Sequence, residues 1–587
     1  MTQKPFNGSR NFNSDPSRPS FLEELFQGRF RWDLIHPFPE QDAADRAIGD
    51  TAVTALGKFL RKYVDPARVE AEGRLPDELL EQARAHGYLS LQLDAALGGL
   101  GLSHFNTFRM IEAAAGWCFP FALVMGIENS VGASAFLPVV PEGPLKELLA
   151  RHQRTGGLSG TADTEPAGAA NQQRVTTAEP VEGGTAYLLN GHKIFVGHAP
   201  VGSLFSVTAS VREGDRVSTR LFFVEANSPG FTHGEWHEFA GVRGFPNGWI
   251  SLKDVRVPAS HQLNEAKDPL ARLTPAVARL VIRGRMHMIV APSLAVAKLC
   301  CRWSREFVDR RMVDGRPLRA YEEIKRQVSA TLSETFALES VARAALLPED
   351  LGLGRNLAFK QNTAKNIGSV IAWRIADRTL SLLGAEGYET ASSKARRGAP
   401  ALPIEQAMRD VRNMRVSGGV DFMINYWVAA RMIISYYYPE PDENTTHTAP
   451  DLTGAKLTER NRTHLEAVAA YVRRFGHTCR ELARRHPDRA ELAEQQRALI
   501  LLTQITSELL TMSAALSRAS QMETAPQDSD GDGQRLADLY CSAARLRLTD
   551  LWNQLDEAAF GTEADFAGQS DAWHTTDGPR HLSAGLF

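Results

Sequence analysis

The first arrangement in this chain with ligand chemistry is an acidic run near the C-terminus. Asp528, Asp530, Asp532 and Gly533 have the spacing that opens a calcium loop, where alternate carboxylates offer oxygens to a hard cation. Such a loop needs a glutamate at its twelfth position, and Leu539 stands there. The run therefore reads as an acidic turn, and no metal site is expected. The cysteines, Cys118, Cys300, Cys301, Cys479 and Cys541, are odd in number and scattered. They form neither a disulfide framework nor a metal-ligand spacing, which points to a reducing compartment and a cytoplasmic protein. There is no Gly-rich dinucleotide fingerprint after a strand and no Walker loop. His287 lies in a helical stretch, residues 275–300, that holds no acidic residue. A neutral imidazole there has a suitable pKa for a general base. Taken alone, Glu165-Pro166 reads as a turn, Phe195 as a core aromatic, and Arg310-Arg311 as a solvated basic face.

These residues are positioned by elements that change texture along the 587-residue chain. Residues 1–40 are read as a flexible arm, polar and rich in Asn, Ser and Pro, without the apolar core of a secretory signal. From 41 to 155 apolar residues recur three and four apart, which predicts helices. From 156 to 262 short β-branched and aromatic runs alternate with Gly, Asn and Pro, which predicts an antiparallel sheet domain. Helices return over 263–437 as a bundle. Residues 438–454 have linker composition. A further helical domain follows over 455–565, and 566–587 read as a loose tail. This is an α+β plan of helices, sheet, bundle and added helices. Hydrophobic residues make up 43% and charged residues 23%, with a formal net charge of -3, so nothing draws the chain globally to nucleic acid. No run of about 20 apolar residues predicts a membrane span.

Four motifs then fall in register. They are Thr164-Glu165-Pro166-Ala167-Gly168, Leu189-Asn190-Gly191-His192-Lys193-Ile194-Phe195, Asp254-Val255-Arg256-Val257-Pro258 and Met408-Arg409-Asp410. Together they resemble the acyl-CoA dehydrogenase family over about residues 45–435. The C-terminal extension and Gly284-Arg285-Met286 resemble its very-long-chain branch. The resemblance implies FAD in the crevice between sheet and bundle, an acyl-CoA or carrier-bound acyl thioester as substrate, an electron-accepting flavoprotein, and a homodimer or larger assembly. It implies α,β-dehydrogenation, in which a base takes the α-proton while the β-hydrogen leaves as hydride to the flavin.

Carried over residue by residue, the family's catalytic glutamate falls on Gly418, and its alternative seat on the neighbouring helix falls on Gly284. Neither can accept a proton. His287 and Asp421 are the nearest substitutes, and Asp421 also suits a helix start. The resemblance implies flavin contacts at Thr164, at Ala169 in place of a serine, at Phe195 in place of a tryptophan, and at Gly197 in place of a hydroxyl residue. It implies that Arg310 or Arg311 reaches a partner's flavin pyrophosphate, and that Gly384 lies in the turn beside it. Residues 385–407, with Lys394 and Arg396-Arg397, are an insertion near the expected adenosine end. The alternatives are an inactive subunit or acyl-binding scaffold, and a flavin-dependent oxygenase. In the added domain, residues 455–486 carry eight basic residues among apolar ones, a pattern that also suits a helix lying on a membrane surface.

Overall fold

The computed structural model describes residues 19–171, 173–263, 275–354, 356–438, 452, 454–523, 532–561 and 565–575. Seven helices from Ala43–Tyr63 to Pro144–Thr155 form the first layer. Eight strands follow: β1 (Leu158–Ala162), β2 (Thr177–Val181), β3 (Ala186–Gly197), β4 (Gly202–Glu213), β5 (Arg216–Glu225), β6 (Phe231–Trp236), β7 (Asn247–Pro258) and β8 (Gln262–Leu263). They pair in the order β6-β7-β3-β2-β4-β5-β8, with β1 beside β4. The sheet is mixed rather than wholly antiparallel, because β1 and β2 each pair parallel with β4. Long helices then build the bundle, notably Glu322–Asp350, Ala358–Leu383 and Asp421–Tyr437.

The helical stretch read over residues 275–300 is interrupted. Pro275–Arg285 and Ala291–Arg310 flank a π-helical turn, Met286–Val290. Pro292 lies within the first turn of the second helix. Proline lacks an N–H and its ring crowds the carbonyl four residues back, here that of Met288, and the wider turn accommodates this.

Part of the segment read as a flexible arm, residues 1–40, is packed helix. Residues 1–18 lie outside the described residues, but Phe21–Phe26 is a helix closed by a Ser20–Glu23 capping box. Phe21, Leu22, Leu25 and Phe26 are fully buried. The polar composition of the first twenty residues masked the apolar cluster that follows. Its partner is the helix Glu459–Arg485, where Phe26 meets Phe475 edge-on at 5.2 Å. That helix is the basic amphipathic one, and its apolar face is buried, including Leu465, Val468, Val472, Phe475 and Leu482. The membrane-surface reading is thereby corrected: the face that would enter lipid is packed inside the protein. Two stretches, Val277–Arg310 and Gln496–Met522, are long and apolar enough to cross a membrane, and most of each is likewise buried as core.

Of the expected tail, Phe566–Thr575 is a helix. Most of the linker lies outside the described residues; of those inside them, Leu452 packs on the core. Asp528 and Asp530 also lie outside them, while Asp532 and Gly533 begin the helix Asp532–Phe560.

The arm crosses the added domain where two glycines touch. A Cβ on Gly476 would lie 2.4 Å from Gly28 Cα. Gly476→Ala is therefore expected to destabilise the protein by about 1–3 kcal/mol through overpacking. Urea unfolding checks this, and an unchanged midpoint would mean that the crossing is not tight.

Candidate functional site

The motif residues turn out to be pins. Lys193 Nζ meets Glu165 Oε1 at 2.8 Å with both side chains out of solvent. Glu165 also accepts the backbone N–H groups of Val175 (2.7 Å) and Thr176 (2.8 Å). Burial pushes the Glu165 carboxyl up, but the bonds from Lys193 and Thr176 outweigh it and hold it at about 2. Burial pushes Lys193 down. This pair fastens the 164–176 loop to β3. Beside it, Asn190 and Asp254 exchange hydrogen bonds at 3.0 and 2.9 Å, joining the second motif to the third. In the fourth motif, Arg409 donates to Ala240 O (2.9 Å), Glu70 (2.7 Å) and Glu405 (2.9 Å). Asp410 accepts the Val242 N–H at 2.5 Å. These bonds clamp the bundle to the loop after β6.

The pins present an aromatic face. The β3–β7 register shifts between Lys193 and Val196, and Phe195 takes φ +55°. Its ring is turned outward, 56% exposed. It lies 5.1 Å from His237 and 6.2 Å from Phe239, which is also exposed. Thr164 is held to the same strand, its carbonyl accepting the Ile194 N–H at 3.0 Å. Exposed rings grouped in this way form a surface on which a planar ring system stacks. Gly197 closes the face from below: a Cβ there would lie 2.6 Å from Ile127 Cδ1. Ala169 is exposed on the 164–176 loop and offers no hydroxyl.

The two glycine seats differ. A Cβ on Gly284 would stand 2.8 Å from Ser130 Cβ, so no larger side chain fits without movement. Gly418 has room, with the nearest atoms, of Ile289 and Arg285, at 3.6 and 3.8 Å. Its backbone is left-handed, φ +67°, as is that of Gly419 at +103°. Arg285 Nε donates to Gly418 O at 2.9 Å and Lys365 Nζ to Gly419 O at 2.6 Å. The two proposed substitute bases are not at this seat in usable form. His287 is buried on another face of the helix, its Nε2 3.1 Å from His104 O. Burial, with His104 and Arg283 nearby, pushes its pKa down to about 3. Asp421 gives one oxygen to Arg415 (2.6 and 2.8 Å) and the other to the Phe422 N–H (2.9 Å). It is a paired residue at a helix start, and its carboxylate is not free.

Arg310 stands elsewhere. It ends the helix Ala291–Arg310, about 30 Å along from the residues beside Gly418 at 1.5 Å per residue. It pairs with Glu386 at 2.5 Å, in the turn that begins at Gly384, φ +59°. The structure thus brings Arg310 and Gly384 together, and separately Thr164, Phe195 and Gly197. In the insertion, Lys394 is turned inward and donates to Glu386 O (2.8 Å) and Leu402 O.

The three domain profiles of the acyl-CoA dehydrogenase family match in chain order. The N-terminal domain covers residues 49–139, the middle domain 160–255 and the C-terminal domain 278–433, more than half of the chain together. The chain belongs to the acyl-CoA dehydrogenase family. It is similar to the protein named "Probable acyl-CoA dehydrogenase FadE10" of Mycobacterium tuberculosis, 28% identical over 566 residues, covering 92% of this chain and 86% of that one. It is also similar to the mitochondrial very long-chain specific acyl-CoA dehydrogenase of Mus musculus, 22% identical, covering 70% and 61%. The crystal structure of an acyl-CoA dehydrogenase complexed with FAD from Bacillus anthracis shares the fold, with TM-score 0.71, 18% identity and 94% of each chain covered. This family's fold accounts for the helices, sheet and bundle described above.

Sequence reasoning missed Ile127, Ser130, Asn362 and Lys365. Ile127 and Ser130 are separated from their glycine partners by many residues, so spacing carries no trace of them. Lys365 and Asn362 left a signal: residues 360–366, KQNTAKN, are polar on every face of a helix whose polar groups are buried. Lys193→Met would strand the Glu165 carboxylate and is expected to destabilise the protein by about 3–5 kcal/mol. Replacing both residues by apolar ones is expected to recover most of that loss, as read by urea unfolding. Above pH 4.5 the depressed Glu165 pKa contributes its full stabilisation, and this is lost as pH falls through about 2.

Proposed function

We propose that this chain binds FAD and oxidises an acyl thioester, either acyl-CoA or carrier-bound, at a site that lacks the carboxylate that would take the α-proton. The observation that carries this reading is the pinned aromatic face in a family whose structural relative is a complex with FAD. The residues fit such a group: exposed rings for a flavin ring, with the Thr164 segment beside them. When bound, FAD supplies the hydride acceptor. Phe195 stacks, the Lys193–Glu165 pair keeps the Thr164 loop in place, and Arg285 and Lys365 hold the two glycine carbonyls. A proton leaving the thioester α-carbon meets no protein carboxylate at Gly418 or Gly284. Oxidation then depends on a substrate whose α-proton is acidic enough to pass to solvent water as the hydride leaves. Arg310 lies too far along its helix to serve its own chain's flavin, which favours a homodimer in which it faces the partner's flavin. The free cysteines suit a reducing compartment such as the cytoplasm.

A second reading, an acyl-binding scaffold without turnover, is favoured by one observation: Ser130 fills the space at Gly284 and Ile127 the space at Gly197. Anaerobic titration of the FAD-reconstituted protein with a panel of acyl-CoAs separates the two. The wild type is expected to hold near-stoichiometric flavin and to bleach slowly. Gly418→Glu is expected to bleach on the order of a hundredfold faster, at a cost of about 1–2 kcal/mol for a left-handed non-glycine residue. Gly284→Glu brings no gain, because Ser130 blocks it. Substoichiometric flavin after reconstitution would overturn the flavin reading. A Gly418→Glu protein that binds flavin and thioester without gain would overturn the assignment of the seat.

A further inference from the structure

Two cations stand at the Gly418 seat, Lys365 buried and Arg285 half-buried, and among the described residues neither is paired with a carboxylate. Lys365 is fully buried and gives one N–H to Gly419 O at 2.6 Å, which leaves two. Arg285 gives Nε to Gly418 O at 2.9 Å and Nη1 to Asn362 Oδ1. Asn362 is fully buried, and its Nδ2 has no hydrogen-bond partner. Ser130 Oγ is also buried without a partner, and its side chain lies against Gly284, one residue before Arg285. Asp421 is the acid whose charge acts on Lys365, and it is engaged by Arg415. Buried donors left open are costly unless something accepts from them.

The direction of the opening is set by Gly418. A side chain at 418 would start toward Arg285 and Ile289, the nearest atoms on that side. A carboxylate on such a side chain would start beside the Arg285 stem. The chain supplies none, so the site has the donors for an anion and not the anion. Arg285 has N–H groups left in a planar fork, which suits a carboxylate. Burial pushes Arg285 down to about 10. Burial, Arg285 and Arg415 push Lys365 down to about 7, with Asp421 opposing. Both shifts are those of cations lacking counter-charge.

We propose that Arg285, Lys365, Asn362 and Ser130 form a seat for a carboxylate carried by the ligand, so that the thioester bound here is the mono-thioester of a dicarboxylic acid. This rests on the thioester reading above and narrows its substrate class. The ligand's carboxylate occupies the place a protein carboxylate would have taken, and it neutralises Arg285 and Lys365 on binding.

Succinyl-CoA and butyryl-CoA test this, because the two differ by a carboxylate in place of a methyl group. Dissociation constants are measured by calorimetry on the FAD-reconstituted full chain. Succinyl-CoA is expected to bind about tenfold or more tighter, the scale of a charge-assisted contact. The preference is expected to fall to near parity in Arg285→Gln and to survive in part in Arg285→Lys, with folding of each variant followed by thermal melting. Equal binding of the two thioesters to the wild type would overturn the carboxylate seat while leaving the thioester reading standing. A preference unchanged in Arg285→Gln would also overturn the seat. Binding of neither thioester would overturn both.

Discussion

Lys193 and Glu165 meet at 2.8 Å with both side chains buried, and the exposed aromatic face depends on that contact. A buried charge without a partner is among the costliest features a fold can hold, so each residue constrains the other strongly. Glu165 draws two backbone N–H groups of its own loop to the same point. The loop that carries Thr164 is thereby tied to the strand that carries Phe195. Asn190 and Asp254 fix the neighbouring strand, and Arg409 fixes the bundle against the loop that carries Phe239. Remove the ion pair and the remaining pins hold elements that no longer share a reference point.

The same residues explain what could be read from the sequence. The four motifs were legible because their side chains form these pins, and pins need particular residue types at particular places. Their physical role is positional rather than chemical: Glu165, Lys193, Asp254 and Arg409 engage other protein groups. The strands were legible from alternation, and β3, β4, β5 and β7 fall within a few residues of the runs that predicted them. The N-terminal helix was not, because six apolar-rich residues after a polar stretch give no periodicity until Phe475 and Gly476 are placed against them. The basic helix Glu459–Arg485 shows the opposite failure. Its amphipathic pattern was read correctly, but a pattern says that a face is covered and not by what.

The site itself was half legible. Both glycine seats were visible in the sequence, yet they are glycines for different reasons. Gly284 is excluded from being anything larger by Ser130, whereas Gly418 has space and a left-handed backbone. That difference belongs to packing across the fold. His287 and Asp421 were near in sequence to the right place and were directed elsewhere, one to His104 and one to Arg415. Nearness in sequence does not fix direction: each lies three residues from its glycine, but His287 falls in the π-helical turn and Asp421 only begins its helix. Lys365, which touches the seat, came from a third helix.

On the function proposed above, no protein group takes an α-proton from a bound saturated acyl thioester. Deuterium exchange at the α-carbon measures this directly, without relying on flavin reduction. Butyryl-CoA would be incubated with the FAD-reconstituted chain in deuterated buffer and its α-methylene followed by NMR. The account predicts incorporation no faster than in protein-free buffer for the wild type, and clear incorporation with Gly418→Glu. Rapid incorporation by the wild type would overturn that reading, because a base would then act at a site where, among the described residues, the structure places two glycines with Arg285, Lys365, Asn362 and Ser130 around them.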